Sequence, residues 1–236
     1  MKRNQSGFTL IEIAIVLVII GLLLGGVLKG QELINSARVK NLANDFKNIP
    51  VFIYGYQDKF KALPGDQLQA ALDLQFPPAN TAKASTAAAT LGNGVIDGNW
   101  NDISTASESY VFWQHVRLAG LAPGPTTIPG TPAHGDGYLP TNAASGELGI
   151  QSGTTDVTKT PINATAATNP IRGSYVICST GILGKFVKQL DTQMDDGNTA
   201  TGSMMAGIAT PAGTPMTAVA TASIDDATTY TVCMGI

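Results

Sequence analysis

Apolar residues dominate the start of the chain after a short polar segment. Residues 1–7 contain two basic residues, and residues 8–28 are apolar apart from Thr9, Glu12 and a few glycines. About 20 consecutive, mainly apolar residues are what a helix needs to cross the hydrocarbon core of a bilayer. The pattern predicts a membrane-inserted helix over residues 8–29.

Beyond this run, apolar residues recur at steps of four and three, the period of one helix face. They are Leu42, Phe46, Ile49, Ile53, Tyr56 and Phe60. We therefore expect residues 30–60 to continue the helix as an amphipathic segment that packs on a globular head, with a kink at Pro50 because proline lacks a backbone N–H.

The remaining residues, 61–236, are enough for one domain with its own core. Helical patterns occur over residues 107–118 and 182–194, the first preceded by Thr105 and Glu108 at capping-box spacing. Residues 173–178 and 228–233 are rich in β-branched and aromatic residues, which is typical of strands. The fold class is therefore α+β: a long N-terminal helix packed on a head with an antiparallel sheet and long loops.

Long loops are expected where alanine, threonine, glycine and proline predominate. These stretches run from Pro77 to Thr90, from Pro123 to Gly137 and from Ala200 to Ala222. Charged residues make up only 13% of the chain and the net charge is −3, so nucleic acid is not indicated as a partner.

The position of the small residues at the start separates two kinds of targeting segment. A secretory signal is cleaved after its apolar run, whereas Ser6 and Gly7 precede the run here. The segment from Gly7 through Phe8 to Glu12 resembles the processing motif of the type IV pilin and type II secretion pseudopilin superfamily. This resemblance implies that residues 1–7 are a leader peptide, and that a prepilin peptidase cuts after Gly7 and methylates the new amine of Phe8.

Glu12 needs a role, because a carboxylate inside the bilayer costs about 2.5–3.5 kcal/mol on insertion scales. The resemblance implies that Glu12 meets the cationic N-terminus of a neighbouring subunit during assembly. A plain signal anchor with a tolerated acid is the alternative, but it leaves the leader and the Gly7–Phe8 pair unexplained.

Glycines on the apolar helix form two small-xxx-small patterns, Gly21 with Gly25 and Gly26 with Gly30. Such spacing lets helix backbones approach closely in a membrane, although the same glycines could merely loosen the helix. Main pilins often have a proline near the outer end of this helix, where this chain has Val27 and Leu28. That difference keeps the pseudopilin alternative open.

Cys178 and Cys233 are the only cysteines. Outside the cytoplasm an even pair suggests a disulfide, and both lie in predicted strands that we expect to be adjacent. Two separate buried thiols are the competing interpretation. Neither cysteine has a second cysteine or a histidine nearby at metal-ligand spacing.

We assign no metal or other cofactor. The segment with Asp97, Asn99, Asn101 and Glu108 has oxygen ligands at the first, third, fifth and twelfth places of a calcium loop, but its sixth place is Asp102 rather than the required glycine. Asp191, Asp195, Asp196 and Asn198 form a second such candidate, whose Asp-Gly pair is first of all a turn.

No catalytic motif accompanies His115 or His134, the only histidines. The sequence therefore predicts a structural subunit of a type IV pilus-like filament rather than an enzyme. Its expected partners are other pilin-like subunits, in homo- or hetero-oligomers, together with the prepilin peptidase, the inner-membrane assembly machinery and, before assembly, membrane lipid. Its expected locations are the inner membrane and then an extracellular filament or a periplasmic pseudopilus. The alternatives are a pseudopilin of a type II secretion system and a membrane-anchored binding or adhesion protein.

Overall fold

The structure is a computed structural model that describes residues 9–77, 82–87, 89–164 and 169–236. The helices in these ranges are α1 (Leu10–Phe60), α2 (Gln69–Gln75), α3 (Glu108–Leu118) and α4 (Gly184–Met194), with a 3₁₀ turn at Thr221–Ser223. The strands are β1 (Leu148–Ser152), β2 (Ile162–Asn163), β3 (Tyr175–Leu183), β4 (Met204–Gly207), β5 (Met216–Thr217) and β6 (Thr229–Gly235). The chain divides into two units, residues 1–38 and residues 39–236.

The first unit contains the apolar part of α1. Residues 9–29 are all exposed, so their side chains have no packing partners within the unit. Among the residues that the structure describes, α1 is the one helix long and apolar enough to cross a bilayer. Its apolar surface therefore needs lipid or another chain as its environment.

The second unit begins with the outer part of α1, which supplies one wall of the main core. Its buried side chains are Val39, Leu42, Ala43, Phe46, Ile49, Ile53 and Tyr56, and Phe60 packs against them half-buried. The predicted amphipathic face is thus confirmed. The helix continues without interruption through Pro50.

Four strands form the main sheet in the order β1-β3-β6-β4, and every pairing is antiparallel. The predicted neighbours Cys178 and Cys233 lie directly opposite each other on β3 and β6. Alternate residues of a strand point to opposite faces, and both faces of this sheet are buried. One face joins the core of α1, α3 and α4, and the other joins a smaller core beneath the two-stranded β2–β5 sheet.

Helix α3 is enclosed along most of its length, since residues 108–117 are all buried. The aromatic side chains Tyr110, Phe112 and Trp113 are among the largest buried side chains of the protein, and each is at most 2% exposed. The sequence predicted this helix to within one residue.

A tight turn follows α1 and is held against α3. Gly65 has φ of +94°, and a Cβ at that position would lie 2.6 Å from the carbonyl oxygen of Glu108. Only glycine tolerates both conditions. The carboxylate of the next residue, Asp66, accepts hydrogen bonds from the backbone N–H groups of Gly92, Asn93 and Gly94. The turn therefore organises a second loop as well as ending the helix.

Two predictions are wrong. The stretch Ala200–Ala222, expected to be a loop, contains β4 and β5; β4 is fully buried and pairs with β6, so tertiary pairing overrides its weak strand propensity. The capping box of Thr105 and Glu108 is absent, because α3 begins at Glu108 with Ser107 as its N-cap. The predicted loops 77–90 and 123–137 contain no helix or strand in their described residues.

Candidate functional site

The N-terminus of α1 is closed by a capping box that the sequence analysis missed. Thr9 donates hydrogen bonds from its backbone N–H and its hydroxyl to Glu12 Oε2, at 2.8 and 2.7 Å, and the Glu12 N–H points back at the hydroxyl at 3.4 Å. The Thr-x-x-Glu spacing is the usual signal for this motif. In the isolated chain, Glu12 therefore already has a partner.

The carboxylate of Glu12 remains exposed despite these bonds. A hydrogen-bonded but solvent-accessible carboxylate at the start of an apolar helix can still accept a cation from another molecule, since each carboxylate oxygen accepts more than one hydrogen bond. The geometry thus leaves Glu12 available as a point of attachment.

The glycines of the apolar segment have empty space beside them. A Cβ added at Gly21, Gly25, Gly26 or Gly30 would meet no atom within 4 Å. No described residue of this unit packs against these positions, so the space beside them is open to another molecule. This is what close packing between membrane helices demands.

Gly7 and Phe8, the predicted cleavage and methylation positions, lie outside the described residues. The first described residue after them, Thr9, is exposed.

Cys178 and Cys233 form a disulfide with their Cα atoms 4.0 Å apart. Both are fully buried, and both belong to the smaller core together with Val176 and Met205. The bond therefore links the two central strands of the sheet on the face away from α1.

In the first calcium-loop candidate, Asp97 and Glu108 already accept hydrogen bonds from protein donors. Glu108 accepts hydrogen bonds from the Asp97 N–H at 2.9 Å and the Thr90 hydroxyl at 2.7 Å, while the Asp97 carboxylate accepts one from the Asn93 side chain at 2.7 Å. Asp102 accepts the backbone N–H of Asn99 at 2.7 Å. No group of three or more His, Cys, Asp or Glu side chains in the described ranges is arranged to hold a metal ion.

Glu108 instead connects segments of the protein. It is fully buried, and burial raises the pKa of its carboxyl, an effect that the Asp97 N–H partly opposes. The Asp97 carbonyl in turn accepts the N–H groups of Glu108 and Ser109 at 3.0 and 3.2 Å. Asp97 and Glu108 thus exchange hydrogen bonds, and through them the loop at Asp97 caps the N-terminus of α3. The sequence had predicted Thr105 for this role.

The two histidines have different surroundings. His115 is fully buried between two backbone groups, while half-exposed His134 lies 2.6 Å from Glu147 Oε2 through Nδ1. Neither belongs to a nucleophile–base pair in the hydrogen bonds of the described residues.

One cavity in the second unit has polar residues in its lining that nothing in the sequence pattern had indicated. Asp45 of α1 and Trp113 of α3 both line it. Asp45 Oδ2 and Trp113 Nε1 are buried and have no hydrogen-bond partner. These residues are 68 positions apart in the sequence, so only the fold brings them together.

Comparison with known proteins identifies the start of the chain. Residues 2–28 match the family model for the prokaryotic N-terminal methylation motif, the signature of type IV pilins and pseudopilins. This motif marks a structural and generally non-enzymatic family. No curated protein and no solved structure gives a significant match.

Proposed function

From the N-terminal methylation motif that this chain carries, we propose that it is a structural subunit of a type IV pilus-like filament. The precursor sits in the inner membrane through residues 8–29, and the prepilin peptidase cuts after Gly7 and methylates Phe8. The processed helix then leaves the membrane and becomes part of the filament core, with residues 61–236 on the surface.

The observation that carries this proposal is the motif on a helix whose apolar surface is unpartnered. Residues 9–29 are exposed, and the glycines among them have free space beside them. In the precursor, lipid covers this apolar surface. In a filament, neighbouring copies of the same helix cover it. An apolar helix that served only as an anchor would leave the leader and the Gly7–Phe8 pair unexplained.

Glu12 supplies the attachment step. Cleavage removes the basic leader and creates a cationic amine at Phe8. Coulomb attraction between this amine and the Glu12 carboxylate of a neighbour is strong in the low-dielectric environment of packed helices. Because Thr9 holds the carboxylate before assembly, the incoming amine adds to or replaces the capping bonds.

The first experiment is to determine the intact mass and N-terminal sequence of the protein from sheared extracellular material and, separately, from membranes. We expect a chain that starts at methylated Phe8 in the sheared fraction. An uncleaved chain confined to membranes would rule out a processed filament subunit.

Variants at Glu12 separate its charge from its role in the capping box. Glutamine at this position can still cap the helix but carries no charge to form an ion pair with the Phe8 amine, whereas alanine can do neither. We expect both Glu12→Gln and Glu12→Ala to lower the amount of sheared filament at least tenfold while the protein remains in the membrane. Glu32→Ala is the matched control, because Glu32 is an exposed acid on the same helix that pairs with Lys29. If Glu12→Gln assembled normally, capping rather than charge would be the function of this residue.

A pseudopilin of a type II secretion system is the second candidate, favoured by Val27 and Leu28 at the place where main pilins often have proline. Its filament would stay within the periplasm, so processed protein absent from sheared material but present in the envelope would favour it. A membrane-anchored binding protein would function equally well when the peptidase is deleted, and a filament subunit would not.

A further inference from the structure

Two neighbouring cavities lie at one end of the main sheet. Their volumes are about 700 and about 460 Å³, within the range of about 300–1,000 Å³ that is usual for small-molecule sites. The first is lined by residues 153–155, which follow β1, and by residues 170–173, which precede β3. The second is lined by residues 201–203, which precede β4, together with Ala164, Asn169, Pro170, Arg172 and Met205.

Arg172 belongs to both linings, as does Pro170, so Arg172 stands where the two cavities adjoin. The residue is exposed, and its side chain makes no hydrogen bond, ion pair or ring contact within the described residues. A guanidinium is always charged and carries five N–H donors in a planar fork. A ligand in either cavity therefore lies beside a solvent-accessible cation that has no internal partner.

The backbone at Arg172 is fixed although its side chain is free. The N–H of Ile171, a residue that is 1% exposed, donates a hydrogen bond of 3.1 Å to the carbonyl oxygen of Ile162. The carbonyl oxygen of Arg172 lies so close to Gly235 that a Cβ at that position would collide with it. The point from which the guanidinium extends is therefore set before a ligand binds, which lowers the entropic cost of binding.

The charge of the two linings favours an anion. Among the described lining residues, Arg172 is the one with an ionisable side chain. Two acids are close in sequence to the lining segments, but Asp156 accepts the hydroxyl and the N–H of Thr158 at 2.7 and 2.9 Å, and Asp195 accepts the N–H of Met204 at 2.8 Å. Neither acid pairs with Arg172, so the guanidinium fork is open to a carboxylate, which it can bind through two parallel hydrogen bonds.

The rest of the lining is neutral, with hydroxyl and amide groups beside apolar ones. Four of its polar residues are exposed, and their side chains form no hydrogen bond in the described ranges: Thr155, Asn169, Thr201 and Ser203. Pro170 and Met205 supply apolar surface. A sugar matches this combination, because its hydroxyl groups donate and accept hydrogen bonds while the faces of its ring are apolar. A nucleic acid matches it poorly, because each phosphate is charged and binding requires several cations.

We propose that the two cavities bind adjacent sugar units of an acidic polysaccharide, and that Arg172 holds the carboxylate of a uronic acid unit. A chain that spans both cavities passes Arg172, because this residue belongs to both linings. The site lies outside residues 8–29, through which the proposed filament assembles. The inference therefore goes beyond the proposed function and does not depend on assembly.

Binding is tested on the full chain in detergent, with trigalacturonate and with its methyl ester as the probes. The ester has the same sugar units but lacks the charge of the carboxylates. We expect isothermal titration calorimetry to show that the acid binds about tenfold more tightly than the ester, because hydrogen bonds to an ionised carboxylate are roughly twice as strong as those between neutral groups. Equal affinities, or no binding of the acid, would overturn the proposal.

Variants at Arg172 separate its charge from its planar fork. Arg172→Gln keeps a hydrogen-bond donor without the charge and should abolish the preference for the acid over the ester. Arg172→Lys keeps the charge without the fork, so it should retain the preference but bind the acid more weakly than the wild type. Because Arg172 is exposed and unpartnered in the described residues, both variants should unfold like the wild type. Arg38→Gln removes an exposed guanidinium that lines neither cavity and should change nothing. An unchanged preference in Arg172→Gln, or the same loss in Arg38→Gln, would contradict the assignment of Arg172.

Labelling with ¹⁵N-arginine locates the ligand and tests its chemical class. We expect trigalacturonate to shift the Nε–H resonance of Arg172 and to leave that of Arg38 unchanged. A short oligothymidylate is the comparison for a phosphate backbone and should bind more weakly than trigalacturonate. If the oligonucleotide bound more tightly and shifted the same resonance, the site would recognise nucleic acid and the polysaccharide proposal would be wrong. A shift at Arg38 without one at Arg172 would place binding elsewhere and overturn the site.

Discussion

The backbone N–H of Gly65 donates a hydrogen bond of 2.8 Å to Nδ1 of His115, fifty residues further along the chain. The other ring nitrogen, Nε2, lies 2.8 Å from the carbonyl oxygen of Lys83. Since Nδ1 accepts and Nε2 donates, the ring is neutral. His115 thus joins the turn after α1 and the loop at Lys83 to helix α3, and protonation of Nδ1 would break the first of these connections.

Acid should therefore destabilise the second unit through His115. Burial lowers the pKa of His115 to about 4 from an ordinary value of 6.5. The unfolded chain takes up the proton below pH 6.5 and the folded chain only below about pH 4. The stabilising contribution is complete above pH 6.5 and is lost as the pH falls from 6.5 to 4, by about 3 kcal/mol. Chemical denaturation at several pH values measures this loss of stability.

His115→Gln is the comparison, because a glutamine amide can still donate and accept but does not titrate. The variant should be less stable than the wild type at pH 7, and the difference should shrink at pH 4.5. A difference that stays constant with pH would mean that His115 acts through packing alone.

Asp191 should show the opposite dependence on pH. Its carboxylate is 1% exposed, neither oxygen accepts a hydrogen bond of good geometry, and burial raises its pKa to about 6. With the folded pKa above the unfolded value of 3.8, the group favours folding at low pH, and this advantage disappears as the pH rises through 6. Asp191→Asn should therefore stabilise the protein by about 1–3 kcal/mol at pH 7.5 and by little at pH 4.

Thermal unfolding of Asp191→Asn at these two pH values measures the effect. Asp58→Asn, which changes an exposed carboxylate, should alter the melting temperature by little at either pH. A loss of stability in Asp191→Asn at pH 7.5 would indicate that the ionised carboxylate has a partner, such as a cation, in solution.

The disulfide should contribute substantially to the stability of the second unit. Cys178 and Cys233 are 55 residues apart, and closing a loop of that length stabilises the folded state by about 4 kcal/mol in the chain-entropy model. We expect reduction under denaturing conditions followed by refolding to give a protein that unfolds at clearly lower denaturant concentration. The double variant Cys178→Ala and Cys233→Ala should behave like the reduced protein in both the presence and the absence of reductant. If reductant changed the unfolding of that variant, the effect would not come from the disulfide.

The elements that the sequence predicted are those with a clear local pattern. The apolar period identifies α1 and α3, and the β-branched residues around Cys178 and Cys233 identify β3 and β6. Strands β1 and β4 lack such a signal: their sequences, LGIQS and MMAG, hold one β-branched residue between them. They are strands because β3 and β6 offer them free edges, which is a property of the fold and not of their own residues.

The same distinction holds for the functional residues. The Thr9–Glu12 capping box is local and could have been predicted from its three-residue spacing. The presence of Asp45 and Trp113 at one cavity could not, because no period or motif relates an acid on one helix to an indole on another. The interpretation of Glu108 failed for a similar reason: its actual partners, Asp97 and Thr90, precede it by 11 and 18 residues.

Calcium should have no effect on the stability of this protein. A calcium site needs six to eight oxygen ligands, yet Glu108 and Asp102 already accept hydrogen bonds from the protein. At about 1 mM calcium, enough to load weak extracellular sites, the melting temperature should equal that in chelator, with magnesium as the matched cation. A melting temperature that is higher in calcium than in magnesium would contradict this prediction. If Glu108→Gln or Asp191→Asn removed that increase, the variant would locate the calcium site. In the first case calcium would have to displace the bonds from Asp97 and Thr90, whereas in the second it would supply the partner that the Asp191 carboxylate lacks.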